Sequence, residues 1–383
     1  MRIAVIASLL PADTVGGAER YVAAVARSLA ERHEVVILTG SERGRVDGLD
    51  VVRLPHLPHL ARGASSFGKV VWHALDQWLP PVHRAVAREL RHIAPDVVAT
   101  HHPQGLSAAV FTGIAATGIP HVHTAHDLNI LCARSSMTRN GEFCGGRCLD
   151  CRIQRTIRGN AAKLNLTRLI GVSRYICDRH VRAGIVAPEH ARAIRLGAPP
   201  GTSRQRGDLD GGPTIGFIGT LSPHKGIATL LRAFDRADPS WRLVIAGSGS
   251  CETVVVDAVA TDPRIRYLGQ VEGRAKDAFF DGLDVVVIPS EWEEPATFVA
   301  AEAAVRGIPA VVSQRGGLPE TPEARTFRAG DPEELLRAVR WFADDPDHLE
   351  RASRRLLARR TEFEWSTHVA RAEAVLEESA AEA

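Results

Sequence analysis

Short apolar runs alternate with amphipathic stretches along most of the chain, and they sort into two series. In the first, Arg2–Ser8, Glu34–Thr39, Val51–Leu54, Asp96–Thr100, His121–Ala125 and Arg168–Val172 read as strands. Ala18–Arg32 reads as a helix because Tyr21, Val22, Val25 and Leu29 return at helical spacing on one face. Lys69–Leu79 and Val82–His92 follow the same period. The apolar face of Phe67, Val70, Val71, Ala74, Leu75 and Trp78 is expected to pack into the core. The second series places strands at Thr214–Gly219, Trp241–Ala246, Ile265–Leu268, Asp284–Ile288 and Ala310–Ser313. Its helices are Ile227–Ala237, Glu252–Ala260, Arg274–Phe280, Thr297–Arg306, Pro332–Ala343 and Pro346–Arg360, with a last amphipathic helix at Trp365–Ser379. Strands this uniformly apolar, each followed by a helix, imply parallel sheets covered on both faces. The fold class is α/β, two doubly wound Rossmann-like domains facing across a cleft, with ligands near the carboxyl ends of the strands.

Pro199–Pro213 (PPGTSRQRGDLDGGP) is rich in proline, glycine and charge without apolar period, and reads as the linker. The expected boundaries are 1–198, 199–213, 214–362 and a tail at 363–383. The opening run Ile3–Leu10 is too short for a signal peptide and lacks a cleavage site, so it reads as the first strand. No charged residue occurs between Asp96 and Asp127, but the apolar part, Gly105–Ile119, is shorter than the ~20 residues a span needs. Pro103 and Pro120 bracket it, so it reads as a buried helix and the protein as soluble and cytoplasmic.

The 383 residues are 45% hydrophobic and 24% charged, which suits packed cores and excludes disordered, collagenous and disulfide-scaffold classes. With 47 basic against 45 acidic residues there is no argument for nucleic acid. Only four of the basic residues are lysines (Lys69, Lys163, Lys225 and Lys276), which singles each of them out.

The densest chemistry follows an apolar strand in the second series: Pro289-Ser290-Glu291-Trp292-Glu293-Glu294-Pro295-Ala296-Thr297-Phe298, then Glu302. Pro295 suits a first helical turn. On that reading Glu294 and Glu302 are roughly 12 Å apart along the axis, a span matching the two hydroxyl-bearing ends of a sugar nucleotide. Gly219-Thr220-Leu221-Ser222-Pro223-His224-Lys225-Gly226 also follows a strand and opens a helix, placing Lys225 to hold a phosphate beside a helix N-terminus. Gly247-Ser248-Gly249 ends the next strand, and Gly16-Gly17 precedes the first helix; both allow close approach to the backbone. No G-x-G-x-x-G occurs, which counts against a dinucleotide cofactor. Cys132, Cys144, Cys148 and Cys151 fall in one loop as C-x11-C-x3-C-x2-C, a spacing open to a structural zinc, to unligated thiols or to a redox role.

Taken in order, Gly16-Gly17-Ala18-Glu19-Arg20, His126-Asp127, Ser173, Lys225-Gly226, the two glutamates and Gly316-Gly317-Leu318-Pro319-Glu320 resemble the retaining GT-B glycosyltransferases of family four. The resemblance spans nearly the whole chain. It implies an acceptor-binding first domain, a nucleotide-sugar-binding second domain and a tail helix crossing back to the first. It further implies transfer of a sugar from a nucleoside diphosphate to an acceptor hydroxyl of a polysaccharide, lipid or small metabolite, without a metal. In that picture Glu294 binds the donor sugar, Glu302 the ribose, Lys225 the diphosphate, and His126 approaches the transferred sugar. Gly16, Gly17, Ser173, Gly219, Thr220, Gly247, Ala296, Thr297 and Phe298 complete the donor site. Peripheral contact with the inner face of a membrane is compatible with it. Thr220 stands where the family often has an arginine, for which Arg315 or a neighbouring arginine is the expected substitute, and Ala296-Thr297 replaces the usual Phe-Gly. Two rival readings are a nucleotide-sugar 2-epimerase of the same shape and a non-catalytic sugar-nucleotide-binding protein.

Overall fold

The computed structural model describes residues 1–11, 17–58, 65–139, 142–145, 148–202 and 211–382. Two compact units result. One comprises Met1–Arg139, Cys144–Ile194 and Val369–Ala383; the other comprises Asn140–Phe143 and Arg195–His368. Residues 203–210, within the expected linker, and Gly16 lie outside the described residues.

The first unit holds β1 (Arg2–Ala7), β2 (Glu34–Thr39), β3 (Asp50–Arg53), β4 (Val97–His101) and β5 (His121–Ala125). After the two-residue strands β6 (Thr138–Arg139) and β7 (Glu142–Phe143) come β8 (Leu166–Gly171) and β9 (Ala191–Ala193). The sheet order is β3-β2-β1-β4-β5-β8-β9, every neighbouring pair parallel. The second unit repeats this plan with β10 (Thr214–Ile218), β11 (Arg242–Ala246), β12 (Ile265–Tyr267), β13 (Val285–Ile288), β14 (Ala310–Ser313) and β15 (Arg325–Phe327). Its order is β12-β11-β10-β13-β14-β15, again all parallel.

Strand β13 shows why the strands are continuous apolar runs. Val285 and Val287 join a cluster with Phe217 and Leu243, whereas Val286 and Ile288 join another with Phe280 and Leu283. Side chains alternate between faces, and helices bury both. Each fully buried valine contributes roughly 1.5–3 kcal/mol. Because the chain leaves β10 toward β11 on one side and reaches β13 on the other, the carboxyl ends of β10 and β13 flank a topological switch point. The ends of β1 and β4 do the same in the first sheet.

Three parts of the first unit differ from the sequence reading. The helix Ser66–Gln77 does not bury its apolar stripe: Val70, Val71, Leu75 and Trp78 are 66%, 40%, 44% and 46% exposed. Its buried anchor is Asp76, which accepts from the Gly105 amide at 2.7 Å and from Arg158 Nη2 at 2.8 Å, so a polar contact sets the helix rotation. Second, the polar stretch after Cys148 forms the helix Leu149–Gln154, a π-helical turn Arg155–Gly159 and the helix Asn160–Lys163. The fully buried Arg158 sits on that π turn. Third, the helix Arg174–Arg182 follows β8.

The last helix, Trp365–Ala381, carries Glu373, which accepts from Arg32 and from His33 Nε2 (2.6 Å). Its end carries Glu378, paired with the buried Arg168 at 3.1 Å; Arg168 also meets Glu382. Among the described residues no helix is long and apolar enough to cross a membrane.

Two glycines let the switch-point loops close. Gly226 (φ 72°) lies where a Cβ would collide with the Pro289 carbonyl, and Gly247 (φ 132°) where one would collide with that of Gly219. Both backbone conformations are strained for L side chains. Gly226→Ala and Gly247→Ala are each expected to cost more than about 1 kcal/mol. Scanning calorimetry should show the melting midpoint falling by at least about 2–4 °C.

Candidate functional site

Glu294 occupies the loop after β13 and is 5% exposed. Its Oε2 accepts from Lys225 Nζ at 2.6 Å, Ser290 Oγ at 2.9 Å and Trp292 Nε1 at 2.7 Å. All three donors converge on that one oxygen; among the described residues none reaches Oε1. Lys225 comes from the loop after β10, and its ammonium lies 5.2 Å from the centre of the Trp292 ring, a cation–π contact. His224 stacks edge-on against the same ring, 5.5 Å between centroids. Burial and the neighbouring Lys225 charge lower the pKa of His224. The two loops are also joined directly, the Glu291 amide donating to the His224 carbonyl at 2.8 Å.

The Gly316-Gly317 turn after β14 closes around this loop. The Gly317 amide donates to the Glu294 carbonyl at 2.8 Å, and Gly316 (φ 58°) leaves no room there for a Cβ. Glu293 accepts from the Gly316 amide at 3.2 Å and pairs with Arg315 at 3.4 Å. Arg315, the expected stand-in for a second phosphate-binding cation, therefore already has a carboxylate partner.

Glu302 is ion-paired with Lys276 of the helix Gly273–Asp281, a residue the sequence reading did not assign to the site. Lysine scarcity was the available signal: two of the chain's four lysines hold the two glutamates. The helix bearing Glu302 is Phe298–Ala304, with Thr297 as N-cap accepting from the Val299 amide at 3.2 Å. Pro295 is therefore not in its first turn, and Glu294-Pro295-Ala296 form a non-helical lead-in. The hydroxyl of Thr297 satisfies an orphan helix amide, which the side chain of Pro295 two residues earlier cannot do. Ala296, Thr297 and Phe298 are half-buried beside it. Gly219 and Gly247 face each other at the ends of β10 and β11, the Tyr267 hydroxyl donating to the Gly247 carbonyl at 2.8 Å. Thr220 is exposed.

In the first unit His126 follows β5. Its Nε2 lies 3.2 Å from His101 Nδ1, and the Tyr21 ring packs edge-on with centroids 4.5 Å apart. Gly17 is exposed and begins the helix Gly17–Ala30. Ser173 caps the helix Arg174–Arg182, accepting from the Ile176 amide at 3.3 Å. Neighbouring histidines are core residues: His121 and His123 both meet the Thr100 hydroxyl, at 2.7 and 2.8 Å. Burial lowers the pKa of His121 to about 3 and that of His123 well below the ordinary imidazole value.

His102, at the end of β4, pairs through Nδ1 with Asp127 Oδ2 at 3.0 Å. Asp127 Oδ1 accepts from the Asn129 amide at 2.7 Å, and the Asn129 side chain meets Arg158. A chain of hydrogen bonds thus runs from His102 through Asp127, Asn129 and Arg158 to Asp76 and the Gly105 amide. In the following loop Cys132 and Cys151 are buried, and Cys144 and Cys148 are half-buried.

Residues 15–200 match the family model Glycosyltransferase Family 4, and residues 202–356 match Glycosyl transferases group 1. The chain belongs to the GT-B glycosyltransferases of this family. It is an enzyme of the glycosyltransferase class. An uncharacterized 42.6 kDa protein in the cps region of Klebsiella pneumoniae is 24% identical over 84% of this chain and 87% of its own length. The glycogen synthase of Mycobacterium tuberculosis is 34% identical over 39% of each chain. In fold, the chain is similar to Anabaena Alr3699/HepE crystallised with UDP: TM-score 0.73, 17% identity, covering 99% of this chain and all of that one.

Burial opposes the charged form of His102, but the charge and hydrogen bond of Asp127 outweigh it and raise the pKa above its ordinary value. A raised imidazole stabilises the fold fully below its unfolded value, near pH 6.5, and the contribution fades as pH climbs through the folded value. The melting midpoint of wild type relative to His102→Asn should therefore decline as pH rises above about 6.5. Asparagine tolerates the positive φ (31°) of this position. A flat difference as pH rises would remove the ion pair from the account.

Proposed function

We propose that the chain transfers a hexose-type sugar from a nucleoside diphosphate to an acceptor hydroxyl, with retention of anomeric configuration and without a catalytic metal. The observation that carries this reading is the division of labour on Glu294. Three protein donors hold Oε2 in place, and Oε1 remains to accept from sugar hydroxyls. Lys225 stands at the start of the helix Ile227–Phe234, where backbone amides and the dipole favour a diphosphate. Glu302, steadied by Lys276, takes the ribose hydroxyls. The glycines Gly219 and Gly247 let the donor approach the backbone, and Thr220, Ala296, Thr297 and Phe298 border it. Gly16, Gly17, Ser173 and His126 are assigned by family resemblance alone.

In the reaction the bond between the anomeric carbon and the diphosphate oxygen breaks while one to the acceptor oxygen forms on the same face. The acceptor proton passes to the departing phosphate. The protein supplies positioning and charge: the Lys225 ammonium shares itself between Glu294 and the oxygen that becomes negative. No enzyme nucleophile is needed.

The donor reading is supported by the UDP bound to the Anabaena protein, and the acceptor reading, a cell-surface polysaccharide, by the cps-region relative. The exposed Val70, Leu75 and Trp78 support peripheral contact with the cytoplasmic face of a membrane.

Losing one preorganised charge contact typically costs ~2.7–4 kcal/mol of barrier. Lys225→Ala and Glu294→Ala should each lower turnover at least about a hundredfold. Circular dichroism should stay unchanged; near-wild-type turnover in either variant would count against the assignment. A nucleoside diphosphate at a hundredfold excess over its dissociation constant should stabilise wild type by ~2.7 kcal/mol in a thermal-shift titration. Lys225→Ala should respond far less at the same concentration. Release of an epimerised sugar from donor alone would move the assignment to an isomerase.

A further inference from the structure

Four of the six cysteines lie between β5 and β8 and take no part in the proposed transfer. Their arrangement is not that of scattered core thiols. Cys132 Sγ and Cys151 Sγ are 3.4 Å apart and both residues are at most 1% exposed. Cys151 Sγ also lies within 4.8 Å of Cys148 Sγ and of the Asp150 carboxylate. Two thiols are weak hydrogen-bonding partners, so this crowding gains little by itself. Two sulfurs on one tetrahedral zinc, with bonds of about 2.3 Å, sit about 3.8 Å apart, close to the spacing seen here. We propose that Cys132, Cys144, Cys148 and Cys151 form a structural zinc site that braces the loop beside His126 and Asp127.

The backbone positions these residues independently of any metal. Cys132 ends a tight loop: its amide donates to the Leu128 carbonyl at 2.8 Å and its carbonyl accepts from Ser135 at 2.9 Å. Cys148 is the N-cap of the helix Leu149–Gln154, and Cys151 lies three residues on, so one helical turn carries both sulfurs. Cys144 is tied to the Met137 carbonyl through its amide (2.8 Å) and its thiol (3.1 Å), and it enters the proposal as the fourth ligand by its position in the same cysteine-bearing segment. Asp150 is the rival fourth ligand, but Arg134 holds its Oδ2 at 2.7 Å and the Cys151 amide its Oδ1 at 3.0 Å. Through Asp150, the neighbour of Cys151, Arg134 places a cation beside the cluster, which suits the negative charge of a zinc–thiolate centre.

Four thiolates fill the tetrahedron, so the ion has no open position and performs no chemistry. Each thiol gives its proton to solvent as its sulfur binds. The effect is mechanical. The braced loop contains Asn129, through which Asp127 and Arg158 are connected.

The test is elemental analysis of the full chain, purified under reducing conditions without chelator. About one zinc per chain is expected in wild type and in Cys251→Ser, whose thiol lies in the other unit. At least a tenfold loss is expected in Cys148→Ser and Cys151→Ser. As a readout that needs no variant, wild type stripped by chelator and refilled with cobalt(II) should show intense thiolate-to-cobalt charge-transfer absorption. Less than a tenth of an equivalent of zinc with no such absorption would overturn the proposal. So would a Cys132–Cys151 disulfide found by mass spectrometry in the native chain. Donor binding through Lys225 and Glu294 is measured separately and does not depend on this outcome.

Discussion

A nearly buried carboxylate is costly unless it is paired and its lone pairs are met, and the Glu294–Lys225 contact answers that cost. The two residues are 69 positions apart in sequence, yet both follow strands that neighbour each other in the sheet. Parallel winding with a reversal between β10 and β13 brings their loops together at one edge. The pair is embedded in hydrogen bonds from Ser290 and Trp292, and the Gly317 amide holds the carbonyl of the same glutamate. Glycines appear where the backbone must pass within contact of these loops. The electrostatics of the site, its close-packed turns and its fixed side chains all follow from one topological reversal.

The first unit meets a comparable demand differently. Arg158 has no exposure, so its charge must be answered locally: Asp76 supplies the counter-charge, and Asn129 a further acceptor. Satisfying it dictates the rotation of the helix Ser66–Gln77 and accompanies the π turn that carries the arginine. Both Nη groups of Arg158 are satisfied, while its Nε has no hydrogen-bond partner among the described residues. The network reaches Asp127 and, through it, His102 at the end of β4.

Legibility in the sequence divided along physical lines. Central strands such as Val285–Ile288 were readable because burial on both faces demands unbroken apolar residues. The edge strands Ala191–Ala193 and Arg325–Phe327 were not, since three residues with at most one buried carry no period. Glu294, Lys225 and the glycine turns were legible from their positions after strands. Lys276 was hidden because its partner lies on another helix, a contact no local spacing encodes. The apolar stripe of Val70, Val71, Leu75 and Trp78 was readable as a stripe, but its orientation depended on a buried aspartate whose partner is 82 residues away.

One consequence concerns the order in which the chain can be assembled. The first unit is discontinuous: residues Val369–Ala383 belong to it, although Arg195–His368 form the other unit. On a ribosome the second sheet is therefore complete before the partners of Arg32, His33 and Arg168 have been made. Until then two arginines and a histidine wait without their carboxylates, and the nascent first sheet remains open to chaperones or to premature pairing. Only once Glu373, Glu378 and Glu382 have been made can these groups be paired, so a product truncated before them would betray itself in the segment translated first.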